Sequence, residues 1–240
     1  MARTPRRGYL EPVPRDWKAA RGRAKTGALL AAAPLLRPLV AQQNHAHRFG
    51  AIGRFLPGSF LQKPEELIGL ARLAAECEPR TVCEIGTYNG GTSLFLCGLP
   101  SVARFVGMDI KPLNRREIAA LVPRRVDTAV LEGSSRDLKP RVGEALRGSP
   151  IDLLFIDGDH SYEGARADLL DYRELVRPGG LIAFHDIVPE DPGGTGDSGG
   201  VPILWREIKE HFVKHWEFVR DWKQDGMGIG VIEHDPEVTL

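Results

Sequence analysis

Residues 151–187 read IDLLFIDGDHSYEGARADLLDYRELVRPGGLIAFHDI. Two short apolar runs, Asp152 to Ile156 and Leu181 to Phe184, bracket a segment with helical spacing from Tyr162 to about Val176. Unbroken apolar runs of this length, separated by a helix, predict adjacent parallel strands buried on both faces. Leu169, Tyr172 and Val176 form the apolar face of the helix, and Arg166 and Asp168 are assigned to its solvated side. Pro178-Gly179-Gly180 reads as the turn before the second strand. Asp157, Asp159 and His160 follow the first strand; His185 and Asp186 close the second. In an open parallel sheet ligands bind in the crevice outside the carboxyl ends of the strands. The stretch therefore reads as half of an active site.

The same alternation runs outward in both directions. Pro64 opens a helix whose Glu65 and Glu66 suit its N-terminal dipole, with Leu67, Leu70, Ala71 and Ala74 as the apolar face. Strands follow at Thr81–Ile85, Arg104–Ile110 and Asp127–Leu131, with helices up to Leu99, near Arg115–Leu121 and near Arg136–Leu146. After the second quoted strand come a helix from Val201 to Phe212 and two strands near Glu217–Asp221 and Met227–Glu233. The predicted fold is α/β: a Rossmann-like, mostly parallel sheet of seven strands ending in an antiparallel hairpin, with helices on both faces. Residues 192–200, PGGTGDSGG, read as a flap beside the crevice.

At 240 residues there is room for one such domain, 61–240, and an N-terminal extension, 1–60, comprising a basic arm and lid or oligomer-packing helices. Residues 1–26 carry eight Arg/Lys against Glu11 and Asp16. Arg6-Arg7 lacks the apolar run that an export signal needs close behind it. The run Ala28–Val40 is broken by Pro34, Arg37 and Pro38 and falls short of the roughly 20 residues of a membrane span. Lys plus Arg equal Asp plus Glu at 32 each, so bulk charge points to no nucleic-acid partner. Cys77, Cys83 and Cys97 lack metal-type spacing and read as reduced, buried thiols. Together these predict a cytoplasmic protein, with a homo-oligomer as one use of the extension.

The stretch from Glu84 to Ser93, EIGTYNGGTS, sits where the first strand turns into a helix. Gly86 and Gly90 permit positive φ and close backbone approach to a ligand. Asp109 ends the next strand, where an acid can take both ribose hydroxyls. A dinucleotide site asks for G-x-G-x-x-G; here the pattern is E-x-G-x-x-x-G. That pattern, with Asp109 and Gly133-Ser134, resembles the class I S-adenosylmethionine-dependent methyltransferases over about residues 60–234. The resemblance implies that Glu84, Gly86, Tyr88, Gly90, Thr92 and Ser93 form the methionine side of an S-adenosylmethionine site. It further implies that Asp109 holds the ribose, that Gly133, Ser134 and Ser135 lie near the adenine, and that Asp157 borders the cofactor.

Methyl transfer to oxygen is an in-line displacement, and an alcohol is a poor nucleophile until its proton is managed. A neutral histidine or a divalent metal serves that purpose near pH 7. Asp157-Gly158-Asp159-His160-Ser161-Tyr162-Glu163 followed by Phe184-His185-Asp186 is similar to a bacterial branch. That branch includes macrolide sugar O-methyltransferases and cephalosporin-hydroxylase-type proteins. The resemblance implies His160 as general base with Asp157 beside it. It also implies a magnesium site on Asp157 and Asp186, with His185 where relatives carry a carboxylate. Magnesium disfavours imidazole, so that substitution leaves the metal open. Asp159 doubles as a candidate helix cap, and Trp205 as core. His45 and His47 are read either as reaching the acceptor from the lid or as a local cap.

The expected activity is O-methyl transfer to a hydroxyl of a small molecule, a sugar or other natural product. Two alternatives stand beside it: a hydroxylase-type tailoring enzyme on the same fold, and a non-catalytic cofactor-binding partner protein.

Overall fold

The computed structural model describes residues 15–56, 58–190 and 197–240, with side chains from residue 27 onward. Three helices come first: α1 (Arg15–Val40), α2 (His45–Phe55) and α3 (Pro64–Cys77). Strands and helices then alternate as β1 (Thr81–Ile85), α4 (Gly91–Cys97), β2 (Arg104–Asp109), α5 (Arg115–Leu121), β3 (Asp127–Glu132), α6 (Ser135–Leu146), β4 (Ile151–Ile156), α7 (Tyr162–Tyr172) and β5 (Val176–His185). α8 (Val201–Ile208), β6 (His215–Phe218) and β7 (Ile229–Glu233) complete the chain. The sheet order is β3-β2-β1-β4-β5-β7-β6. β1 to β5 pair in parallel, and β7 is antiparallel to both β5 and β6. The expected seven-stranded sheet is present.

Period-two alternation divides the central strands between two cores. Val82, Leu153, Phe155, Leu181 and Ala183 face the layer that includes α2 to α4, while Cys83, Leu154, Ile156, Ile182 and Phe184 face α6, α7 and α8. Each fully buried Phe or Leu contributes roughly 1.5–3 kcal/mol, so burial on both faces holds the strand ends rigidly. α1 and α2 pack on the first layer. Arg37 Nε donates to the Ala120 carbonyl at 2.7 Å, and the buried Arg48 guanidinium stacks 4.6 Å from the Phe95 ring centre. Asn44 caps α2 by accepting from His47 N at 3.0 Å, and His45 Nδ1 contacts Arg48.

Three expectations are corrected. Pro178-Gly179-Gly180 is not a turn before β5 but lies inside it, at a register shift opposite Ile151–Leu153. Gly179 takes φ +70° there, and a Cβ on Gly180 would lie 2.8 Å from Val176 Cγ1, so the glycines make a bulge rather than a break. Val176 is accordingly core, but as the first residue of a strand. Asp168 is not on a solvated face: it is 5% exposed and accepts from Ser135 Oγ at 2.5 Å. Burial pushes its carboxyl up to about 6. Glu66 does more than complement a dipole. It is buried and accepts from Arg220 N, Gln224 Nε2 and Gly228 N at 3.2, 2.7 and 3.0 Å, tying α3 to the β6–β7 connection.

Trp205 is core, with Nε1 donating to Glu217 at 2.7 Å. The basic arm before residue 15 and residues 192–196 of the flap lie outside the described residues. Among the described residues no helix is long and apolar enough to cross a membrane.

Candidate active site

The turn after β1 is built by backbone constraint. Gly86 has φ +89°, and a Cβ on it would sit 1.8 Å from the Asp157 carbonyl oxygen. Only glycine lets β1 and β4 end this close together. Gly90 has φ +80° and leads into α4, where a Cβ would strike the Ile118 side chain. Between them Tyr88 takes φ +39° with its side chain half exposed. Asp109 explains how that strain is held: its Oδ2 accepts from Tyr88 N and its Oδ1 from Lys111 N, both at 2.7 Å.

Beneath the turn Glu84 is fully buried, accepts from Ser93 Oγ, and is pushed up to about 8 by burial. Its other oxygen, together with Thr87 Oγ1 and Ser59 Oγ, is buried without a hydrogen-bond partner among the described residues. Gly133 donates to the Asp109 carbonyl at 2.9 Å, which brings the β3 end beside the β2 end. Ser134 caps α6 through Asp137, while Ser135 turns to Asp168 on α7.

One strand over, the ionisable side chains of the quoted stretch converge. Asp157 follows β4, Asp186 follows β5 with φ +63°, and His160 precedes α7. Asp157, His160 and Asp186 each offer a ligand atom within 4.8 Å of the others. His160 Nε2 lies 3.6 Å from Asp157 Oδ1, and its Nδ1 lies 3.4 Å from Asp186 Oδ2 and contacts the Asp197 carbonyl. His185 sits deeper. Its Nδ1 is 3.0 Å from Asp157 Oδ1 and 3.0 Å from Asp186 Oδ2, and its buried Nε2 has no hydrogen-bond partner among the described residues.

Electrostatics follow from this packing. His160 is raised to about 9, first by its bond to Asp157 and then, against burial, by Asp186. Burial lowers His185, but the two carboxylates outweigh it and raise the ring to about 10. Burial raises Asp157, and the paired histidines reverse that and hold it below the usual carboxylate range. Asp159 accepts from Ser161 N at 2.9 Å, with Ser161 itself the cap of α7, so Asp159 shapes the loop.

Residues 58–63, between α2 and α3, also enter the site, and no periodicity or motif marks them in the sequence. Gln62 Nε2 donates to Asp157 Oδ2 at 2.7 Å, and its Oε1 accepts from Thr92 Oγ1 at 2.6 Å. Asn89 Nδ2 donates to Gly58 O at 2.9 Å, and Gly91 N to Ser59 O at 3.3 Å.

Residues 83–187 match a family model described as a methyltransferase domain. The catechol O-methyltransferase of Mycobacterium tuberculosis is 30% identical over 132 residues, 49% of this chain and 58% of its own length. The chain spans between 53% and 60% of the length of the curated relatives it matches. Among solved structures, an O-methyltransferase from Bacillus cereus in complex with S-adenosylhomocysteine aligns with TM-score 0.56 at 20% identity, over 87% of this chain and all of that one. MycE methyltransferase of the mycinamycin biosynthetic pathway, in complex with magnesium and S-adenosylhomocysteine, aligns with TM-score 0.54 at 17% identity, over 83% of this chain and 58% of that one. With the glycine turn after β1, Asp109 at the end of β2 and this strand order, residues 83–187 are similar to methyltransferase domains.

Proposed function

We propose that this protein transfers the methyl group of S-adenosylmethionine to a hydroxyl of a small-molecule acceptor, a sugar or another natural product. One observation carries the reading: Asp157, His160 and Asp186 gather within 4.8 Å at the strand ends next to the glycine turn. The turn suits the cofactor. Gly86 and Gly90 open its backbone, and buried oxygens of Glu84, Thr87 and Ser59 that have no hydrogen-bond partner among the described residues surround it. Glu84, Gly86, Tyr88, Gly90, Thr92 and Ser93 are assigned to build the methionine side. Asp109 takes the ribose side, and Gly133, Ser134 and Ser135 the adenine side. A bound ribose would compete with Tyr88 N and Lys111 N for the Asp109 carboxylate.

At the acceptor end, the hydroxyl oxygen attacks the methyl carbon in line, the carbon–sulfur bond breaks with its electron pair going to sulfur, and the hydroxyl proton passes to the neutral form of His160, whose share grows as pH rises toward about 9. Asp157 and Asp186 orient His160 from opposite sides. The oxygens of Asp157 and Asp186 also fit a divalent cation, with His185 bracing both carboxylates from behind and His160 beside them. Such a cation would lower the pKa of the acceptor hydroxyl and offset the negative charge that keeps His160 protonated. Residues 61–240 are assigned as the catalytic domain and 1–60 as its cover. A homo-oligomer is one use of that cover, and Leu35 is exposed on α1.

Calorimetric titration with S-adenosylmethionine and S-adenosylhomocysteine tests the reading. Micromolar binding of both is expected. Absence of binding at millimolar ligand would reject it.

A further inference from the structure

Among the described residues, Gln62 is the one side chain that bonds both halves of the proposed site, the cofactor turn and the aspartate–histidine centre. It is 7% exposed and reaches in from the segment between α2 and α3. Its orientation is unambiguous on chemical grounds. A carboxylate only accepts, so the amide nitrogen must face Asp157 Oδ2; the amide oxygen then receives the Thr92 hydroxyl on the first turn of α4. Asp157 Oδ2 is thereby engaged, and Oδ1 is the oxygen turned toward His185 and His160. Asp186 is treated alike: its Oδ1 accepts from Met227 N at 3.0 Å and its Oδ2 faces the same two histidines. For Asp186 the anchor is backbone. For Asp157 it is a side chain from outside the strand–helix alternation.

The segment carrying Gln62 is itself pressed against the cofactor turn. Gly91 N donates to Ser59 O, and a Cβ on Gly91 would lie 2.5 Å from that oxygen. The side chain therefore reports the fit of this segment on the turn directly to Asp157.

We propose that Gln62 is a positioning residue for methyl transfer: its carboxamide sets which oxygen of Asp157 faces the reaction centre, and it makes that setting depend on the docking of residues 58–63 and on Thr92. This rests on the methyl-transfer reading above. It assigns Gln62 no contact with the reacting atoms; its effect passes through Asp157.

The test compares wild type with Gln62→Met, which keeps length and loses both hydrogen bonds, and Gln62→Glu, which keeps shape and sets a carboxylate against Asp157. Each is crystallised with S-adenosylhomocysteine, and its affinity for that ligand is measured by calorimetry. Release of S-adenosylhomocysteine is followed with catechol and methyl glucoside as acceptor probes. The expected result is a 10- to 100-fold fall in kcat for Gln62→Met and a larger fall for Gln62→Glu, with acceptor KM and S-adenosylhomocysteine affinity within threefold of wild type. In the Gln62→Met crystal the Asp157 carboxylate should be rotated or spread over two orientations. A wild-type Asp157 orientation in that crystal overturns the proposal, whatever the turnover. So does a loss confined to cofactor affinity or thermal stability. Wild-type protein that binds no S-adenosylhomocysteine overturns the methyl-transfer reading instead, and the Asp157 orientation still decides the positioning claim.

Discussion

Asp157 and Asp186, carried at the ends of neighbouring parallel strands, each bring one carboxylate oxygen to 3.0 Å from the same nitrogen, Nδ1 of His185. Their other oxygens are tied to scaffold, one by Gln62 and one by Met227 N. Two acids this close repel unless positive charge sits between them. Here an imidazole is built into that position from below, and His160 approaches the same oxygens from the open side.

The base assignment predicts a selective loss. His160→Ala should lower kcat by about 10²–10⁴-fold, the usual worth of a positioned proton acceptor. S-adenosylhomocysteine affinity should stay within about threefold of wild type, because the ring bonds the acceptor-side carboxylates rather than the glycine turn. Steady-state kinetics alongside calorimetry separates the two. Near-wild-type turnover would remove His160 from the mechanism.

The donor set predicts metal-dependent stabilisation. Magnesium or manganese at about 100 times its Kd should stabilise wild type by about 2.7 kcal/mol. Asp186→Asn should lose most of that gain. Differential scanning calorimetry with each chloride salt and with chelator reads it without any acceptor. A Tm that ignores both metals in wild type would argue for a centre that works through its histidines alone.

Gly86 has no tolerance for a side chain. Gly86→Ala forces a methyl group to 1.8 Å from the Asp157 carbonyl at φ +89°. We expect a stability loss on the order of 2–4 kcal/mol and no measurable S-adenosylhomocysteine binding. Urea unfolding and calorimetry check both. A stable variant with normal affinity would show that the β1 turn is looser than the packing indicates.

Asp168 predicts a pH-dependent stability term. Burial raises its carboxyl from 3.8 to about 6, with Asp159 and Asp171 adding repulsion. The folded state therefore holds the proton where the unfolded chain has released it. Stability from this group is greatest below about pH 4, declines as pH rises to about 6, and is flat above that, for a total of roughly 3 kcal/mol at most. Asp168→Asn keeps an acceptor for Ser135 Oγ and should erase the slope. Unfolding free energies of the two proteins from pH 4 to 7 would diverge by roughly 1–3 kcal/mol; parallel curves would count against the buried acid.

Much of this architecture was legible locally. The apolar runs that became β1, β2 and β4, and the helices at Pro64 and Tyr162, follow from periodicity and caps, which act over a few residues. The Glu84–Gly90 turn was legible because only glycine tolerates its backbone. Misreadings came where local chemistry has two outcomes. Pro178-Gly179-Gly180 suits a turn or a bulge, and pairing with β4 and β7 selected the bulge. Asp168 looks solvated by helical phase, yet α6 packs over it and supplies Ser135.

By itself, then, the sequence determined the order of strands and helices, the glycine turn, and the set of acids and histidines at the strand ends, because each depends on neighbours in the chain. Only the tertiary structure decided which oxygen of each acid faces which imidazole, that His185 braces the pair from below, and that Gln62 reaches Asp157 across 95 positions of sequence. Those relations are set by the packing of separate segments, and no local periodicity encodes the distance between two segments that meet only when the chain is folded.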